Sequence, residues 1–196
     1  MIVFLSALIH FGFAASGIVH SGIPVRQPDL GEPAFQSAEN GWSAPLADGQ
    51  GLVRVYVGRD ADAAADWFER QRESFSRPLP DYAFADVAAG DGLGVLLFRD
   101  GNVAVMVKST ADKALSLATS LRERIVDNAA PLAIAAMRRT EDGWAIDAPG
   151  AVHSRVVGGG NVPFATAAAG GLIGVYAQRP TEITVWDAFG RASVIR

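Results

Sequence analysis

Between residues 52 and 58, Val53, Val55 and Val57 alternate with Arg54 and Tyr56, a two-residue period that predicts a half-buried β-strand. The period then changes to the helical one. Over residues 60–75, Ala64, Trp67, Phe68 and Phe75 fall on one face and Glu69, Arg70, Arg72 and Glu73 on the other, with Asp60 placed to cap the start. After the breaker RPLPD, a strand is expected near Tyr82 to Val87, then a hairpin in VLLFRDGNVAVMV that turns at Asp100-Gly101 and sets Val103, Val105 and Val107 on one face. A second amphipathic helix follows, with Ser109 and Asp112 at capping-box spacing and Ala111, Ala114, Leu115, Ala118, Leu121 and Ile125 on one stripe. This order predicts an α+β module over 52–130, an antiparallel sheet with both helices on one face, βαββα-like.

Residues 131–196 read as β-rich. A hairpin is expected at Asp142-Gly143, with a helix beginning at Pro131 as the alternative, and the runs AVHSRVV, LIGVYAQ, TEITVW and RASVI are strands between glycines and prolines. They predict a small sandwich-like part or an extension of the first sheet. GLGVLLFRDGNVAVMV and GLIGVYAQRPTEITVW share a glycine-led strand, a charged turn and a second strand, so each is expected as a hairpin.

The N-terminus has a different pattern. MIVFLSALIHFGFAASG carries no charged side chain, and Arg26 is the first in the chain. An apolar core followed by Ala14-Ala15-Ser16 predicts a signal peptide over 1–17, cleaved after Ser16 or one residue later, although the n-region lacks Lys and Arg. An uncleaved anchor is the alternative, short of the roughly 20 apolar residues that a span needs. Residues 18–51, with Pro24, Pro28, Pro33 and Pro45, have tether composition, and Trp42 within them is expected to tuck onto the folded part.

Composition narrows the function. With 49% hydrophobic and 19% charged residues the chain has ample material for a core, and a net charge of -4 without a Lys/Arg cluster argues against a nucleic-acid binder. Zero cysteines remove disulfides, thiolate nucleophiles, cysteine-ligated zinc and a lipoprotein cysteine, so an exported form has to be stable without crosslinks.

The run GGGNVPFATAAAGG, residues 158–171, is not a phosphate loop. Pro163 stands where G-x-G-x-x-G needs its last glycine, and no Gly-Lys-Ser or Gly-Lys-Thr follows. It reads as a turn or bulge at Gly158 to Gly160, followed by small-residue strands that let backbone approach backbone. Catalytic spacings such as G-x-S-x-G and H-E-x-x-H are absent. His10 and His20 belong to the leader or its edge, which leaves His153 as the imidazole of the expected folded body.

His153 and Arg155 share one face of a strand and form a candidate anion-recognising pair, edged by Trp144 and Trp186. No catalytic residue, metal ligand or cofactor is assigned. The expected function is that of an exported, periplasmic or envelope-associated binding or assembly protein, whose partner is another envelope protein or a small ligand, with possible membrane attachment through the N-terminus. One alternative is a carboxylate-dependent glycan hydrolase with two Asp or Glu residues flanking a cleft walled by Trp144 and Trp186, the loop carboxylates Asp91, Asp142, Asp147 and Asp187 being candidates. Another is a membrane-associated subunit with the uncharged run 156–178 as its contact surface.

Overall fold

The computed structural model describes residues 19–36, 40–83, 85–127, 130–160 and 171–196. The leader up to residue 18 and the central part of the glycine-rich run, 161–170, lie outside the described residues. Six strands form the first sheet: β1 (Ala34–Phe35), β2 (Gly41–Pro45), β3 (Leu52–Val57), β4 (Val87–Gly90), β5 (Val95–Asp100) and β6 (Val103–Lys108), in the order β1-β2-β3-β6-β5-β4. Every pairing within it is antiparallel. Helix α1 (Ala61–Glu73) follows β3, and α2 (Ala111–Glu123) follows β6.

The expected α+β class with antiparallel sheets is what forms, but the helices cover opposite faces rather than one. On β6, Val103, Val105 and Val107 pack with Ala114, Ala118 and Leu121 of α2, whereas Ala104 and Met106 pack with Ala64, Trp67 and Phe68 of α1. Consecutive side chains of a strand point to opposite faces, so five buried apolar residues in a row require cover on both sides. The uninterrupted run VAVMV carried that signal.

Asp60 caps α1 as expected, its carboxylate accepting from the Ala63 amide at 2.8 Å. The capping box expected at α2 does not form. Thr110 takes the N-cap position without a side-chain bond, and the Ser109 amide is drawn instead to the Gly94 carbonyl at 2.8 Å. Leu115, assigned to the apolar stripe, is 48% exposed, since the buried stripe runs through Ala114, Ala118 and Leu121.

Residues 18–51 are not a tether where they are described. Ile23, Val25, Leu30, Trp42, Ala44 and Leu46 are buried in the same cluster as α2, and β2 pairs with β3 over five residues. Asn102, in the turn of the β5–β6 hairpin, fastens the start of this segment. Its side-chain oxygen accepts from the His20 amide at 2.8 Å, and its nitrogen donates to the carbonyls of His20 at 3.1 Å and Gly58 at 2.9 Å. Proline content suggested a linker because proline cannot donate to a ladder, but prolines between short strands leave the rest free to pair.

The C-terminal strands β7 (Ala136–Thr140), β8 (Gly143–Asp147), β9 (Ala151–Gly158), β10 (Leu172–Tyr176), β11 (Pro180–Asp187) and β12 (Ala192–Ile195) form two three-stranded sheets, β10-β8-β7 and β12-β11-β9. Ile146, Ile173 and Tyr176 from the first meet Ile183 and Val185 from the second, a sandwich-like core. The expected β7–β8 hairpin forms, with Thr140 opposite Gly143. The expected hairpin of LIGVYAQRPTEITVW does not form: β10 pairs with β8 and β11 with β9, so the two strands belong to facing sheets. Backbone bonds from Gly41 to Gly190 and from Val25 to Ala188, both 2.8 Å, join these sheets to the N-terminal part.

Candidate functional site

His153 and Arg155 lie on β9 opposite Trp186 and Thr184 of β11, so all four occupy the face turned away from the sandwich core. On that face Phe35 of β1 lies parallel to the His153 ring, with centroids 4.7 Å apart and an interplanar angle of 11°. Trp186, 1% exposed, tilts against both rings at 5.2 Å and 5.8 Å. Burial holds the His153 imidazole below its ordinary value of 6.5, so it is neutral at pH 7 and brings no charge to an anion. Arg155 is exposed. The structure thus brings His153 and Trp186 together within an aromatic packing cluster and leaves Arg155 at its edge.

Trp144 is elsewhere, on β8 of the other three-stranded sheet, and does not share a wall with Trp186. It is half-buried, opposite Arg139 of β7 on one side and Tyr176 of β10 on the other. The guanidinium carbons of Arg139 and Arg179 lie 5.5 and 5.8 Å from its ring centroid. Sequence reading missed both arginines. The alternating register of AMRRT against GWAID places Arg139 beside Trp144, but the approach of Arg179 depends on how β10 is paired.

Glycine makes this end of the sandwich possible. Gly143 has φ of 140°, and a Cβ there would overlap the Tyr176 carbonyl oxygen, so β8 and β10 meet closely only with glycine at that position. Gly159, with φ of 86°, lies against the Tyr176 ring, where an added Cβ would come within 2.9 Å of Cδ1. The expectation of backbone needing room is met at Gly158, Gly159 and Gly160, all at positive φ, with Gly158 closing β9.

Three of the four candidate carboxylates are taken up by local partners. Asp91 accepts the amides of Leu93, Gly94 and Val95 at 2.8, 2.9 and 2.9 Å. Burial opposes its charge, but the three donors outweigh that and hold the carboxyl below 3.8. Asp147 pairs with Arg138 at 2.9 Å. Asp187, nearly buried, accepts from the Phe189 and Arg191 amides and binds the Arg191 guanidinium at 2.6 Å. Asp142 is exposed in the β7–β8 turn.

His20, placed by sequence at the edge of the leader, is instead docked into the fold. Its Nδ1 lies 2.8 Å from Asp127 and its Nε2 3.7 Å from Asp100, which also binds Arg122 at 2.9 Å. It borders a cleft of about 200 Å³ together with Asn40, Arg59, Asn102 and Arg191. Only the docking of residues 19–23 onto the β5–β6 turn reveals this, because a lone histidine in an apolar stretch carries no spacing signal.

A larger groove of about 440 Å³ runs between α2 and the N-terminal segment. Leu46, Ala47, Pro28 and Leu117 give it apolar walls, and Ser116, Ser120, Asp29, Asp48 and Lys113 supply polar groups. Lys113 hydrogen-bonds Asp48 and holds that carboxyl below its usual range. Among the described residues that line this groove there is no imidazole beside the two serines. Among the described residues no group of three or more His, Cys, Asp or Glu is placed to hold a metal ion, and no helix is long and apolar enough to cross a membrane.

No family model matches the chain, and neither a curated protein nor a solved structure matches it significantly.

Proposed function

We propose that this chain is an exported, envelope-associated protein that works by binding or assembly rather than by turnover. The observation that carries this reading is the destination of its acidic groups. Asp91, Asp147 and Asp187 each serve a turn or an ion pair of their own, between β4 and β5, on β8 and on β11 respectively. General acid–base hydrolysis of a glycan needs two carboxyl groups across one bond, within about 10 Å.

Export draws support from the uncharged apolar segment that precedes the small-residue site at Ala14 to Ser16. The groove beside α2 has the size and mixed lining of a small-ligand site, about 300–1,000 Å³ in such sites generally, and is where we place the binding.

Compartment and mass test the proposal together. The full chain, expressed in a bacterial host with an envelope, is expected in the periplasmic or envelope fraction with an intact mass lacking 16 or 17 N-terminal residues. A full-length product confined to the cytosol refutes export. A photo-crosslinker at Ser116 or Ser120 is expected to capture a product that the same group at Asp142 does not, and identical capture at both places refutes binding in the groove.

A further inference from the structure

Among the described residues the charges of the Arg139–Trp144–Arg179 cluster are unanswered. Arg138, the neighbour of Arg139, turns to the opposite face of β7 and takes Asp147 at 2.9 Å. Arg139 and Arg179 are both exposed, and among the described residues neither forms an ion pair. Glu141 and Asp142, exposed in the nearby turn, form none with them either. Two cations therefore share one indole, each within the roughly 6 Å at which the ring quadrupole attracts a cation.

Trp144 sits opposite Tyr176 across β8 and β10, and Tyr176, 3% exposed, is closely approached by Gly143 and Gly159. Arg139 comes from the strand on one side of Trp144, and Arg179 from the turn that follows the strand on the other. A guanidinium held against an aromatic ring keeps the N–H groups of its planar fork available at the edge. Holding the forks in place before the ligand arrives lowers the entropic cost of binding.

We propose that Arg139, Trp144 and Arg179 form a binding site for a phosphate-type dianion, a phosphate monoester or a diphosphate. A carboxylate has two oxygens and is satisfied by a single fork, whereas two separated forks match a group with three or more terminal oxygens. The assignment goes beyond the binding reading above and holds whether or not the chain is exported. It also moves anion recognition away from His153, which is neutral and covered by Phe35.

Tryptophan emission reads the site directly, because Trp144 is half-buried while Trp42, Trp67 and Trp186 are each 1% exposed. The full chain is titrated with pyrophosphate and with inorganic phosphate at low salt, against acetate at equal ionic strength. Pyrophosphate is expected to change the emission saturably, and acetate is expected to leave it unchanged. Arg139→Gln and Arg179→Gln are each expected to weaken binding about tenfold or more, equivalent to one charge-assisted bond. The double variant is expected to show no saturation, while Arg155→Gln binds as the unsubstituted chain does. Matching far-UV circular dichroism and melting temperature confirm that these surface variants fold. Affinity unchanged in the double variant, equal response to acetate, or loss through Arg155→Gln alone overturns the assignment.

Discussion

Replacing Trp42 with alanine tests whether residues 18–51 belong to the fold. The indole is 1% exposed, packs in the cluster that contains Ile23, Val55 and Leu121, and donates its N–H to the Ile23 carbonyl at 3.3 Å. Gly190 rests on it so closely that a Cβ there would come within 2.5 Å of Trp42 Cδ1. A tryptophan buries about 150–250 Å², which at about 25 cal/mol per Å² corresponds to about 4–6 kcal/mol. Alanine keeps part of that area and leaves a cavity, so the expected loss is about 3–5 kcal/mol. Trp42→Phe, which refills most of the space and gives up only a long hydrogen bond, is expected to lose about 1–2 kcal/mol. Urea unfolding followed by circular dichroism measures both. A loss under about 0.5 kcal/mol for the alanine variant, the size of an ordinary surface substitution, would show the segment to be a loose tether after all.

The remaining predictions concern pH and one turn. His153 has its folded pKa depressed by burial, so its proton prefers the unfolded chain: its contribution is complete above about pH 6.5 and is lost as pH falls through the folded value. His153→Phe is expected to flatten that part of the stability curve, a slope that for one proton cannot exceed about 1.4 kcal/mol per pH unit, and identical curves for the two proteins between pH 7.5 and 5 would contradict it. Asp91→Ala removes the acceptor of three amides and is expected to cost about 1–3 kcal/mol in urea unfolding at pH 7. Because the Asp91 pKa is lowered on folding, its stabilisation is present above 3.8 and lost as pH falls through the folded value. The penalty of Asp91→Ala should therefore shrink in acid, and a penalty that persists undiminished there would refute the capping role.

Local order was legible where one element explains itself. The alternation of Val53, Val55 and Val57, the Asp60 cap and the turn before Val103 each depend on residues a few positions apart, and each formed as read. The side of the sheet that each helix takes was harder to read. Alternation of Val103, Val105 and Val107 implies a strand with one inward face, although Ala104 and Met106 need cover as well. The proline-rich segment misled in the opposite direction, since Ile23, Val25 and Leu30 lack any regular period and are buried by contacts with distant strands. At the candidate site, the proposed pair of His153 and Arg155 edged by both tryptophans gives way to a different grouping: His153 meets Trp186 and Phe35, while Trp144 lies in another sheet beside two arginines that no motif marks.

By itself, then, the amino-acid sequence determined the α+β class, most of the strands and both helices, the absence of thiol chemistry and the glycine positions where the chain turns sharply. Those properties follow from side-chain periodicity, backbone dihedral freedom and composition, all of which act over a few residues. The tertiary structure decided which face each helix covers, that the N-terminal segment is core, and that Arg179 stands beside Trp144 while Arg155 does not. These depend on strand order and on contacts between residues dozens of positions apart, where the free energy of burial selects one pairing among many that the local pattern permits equally.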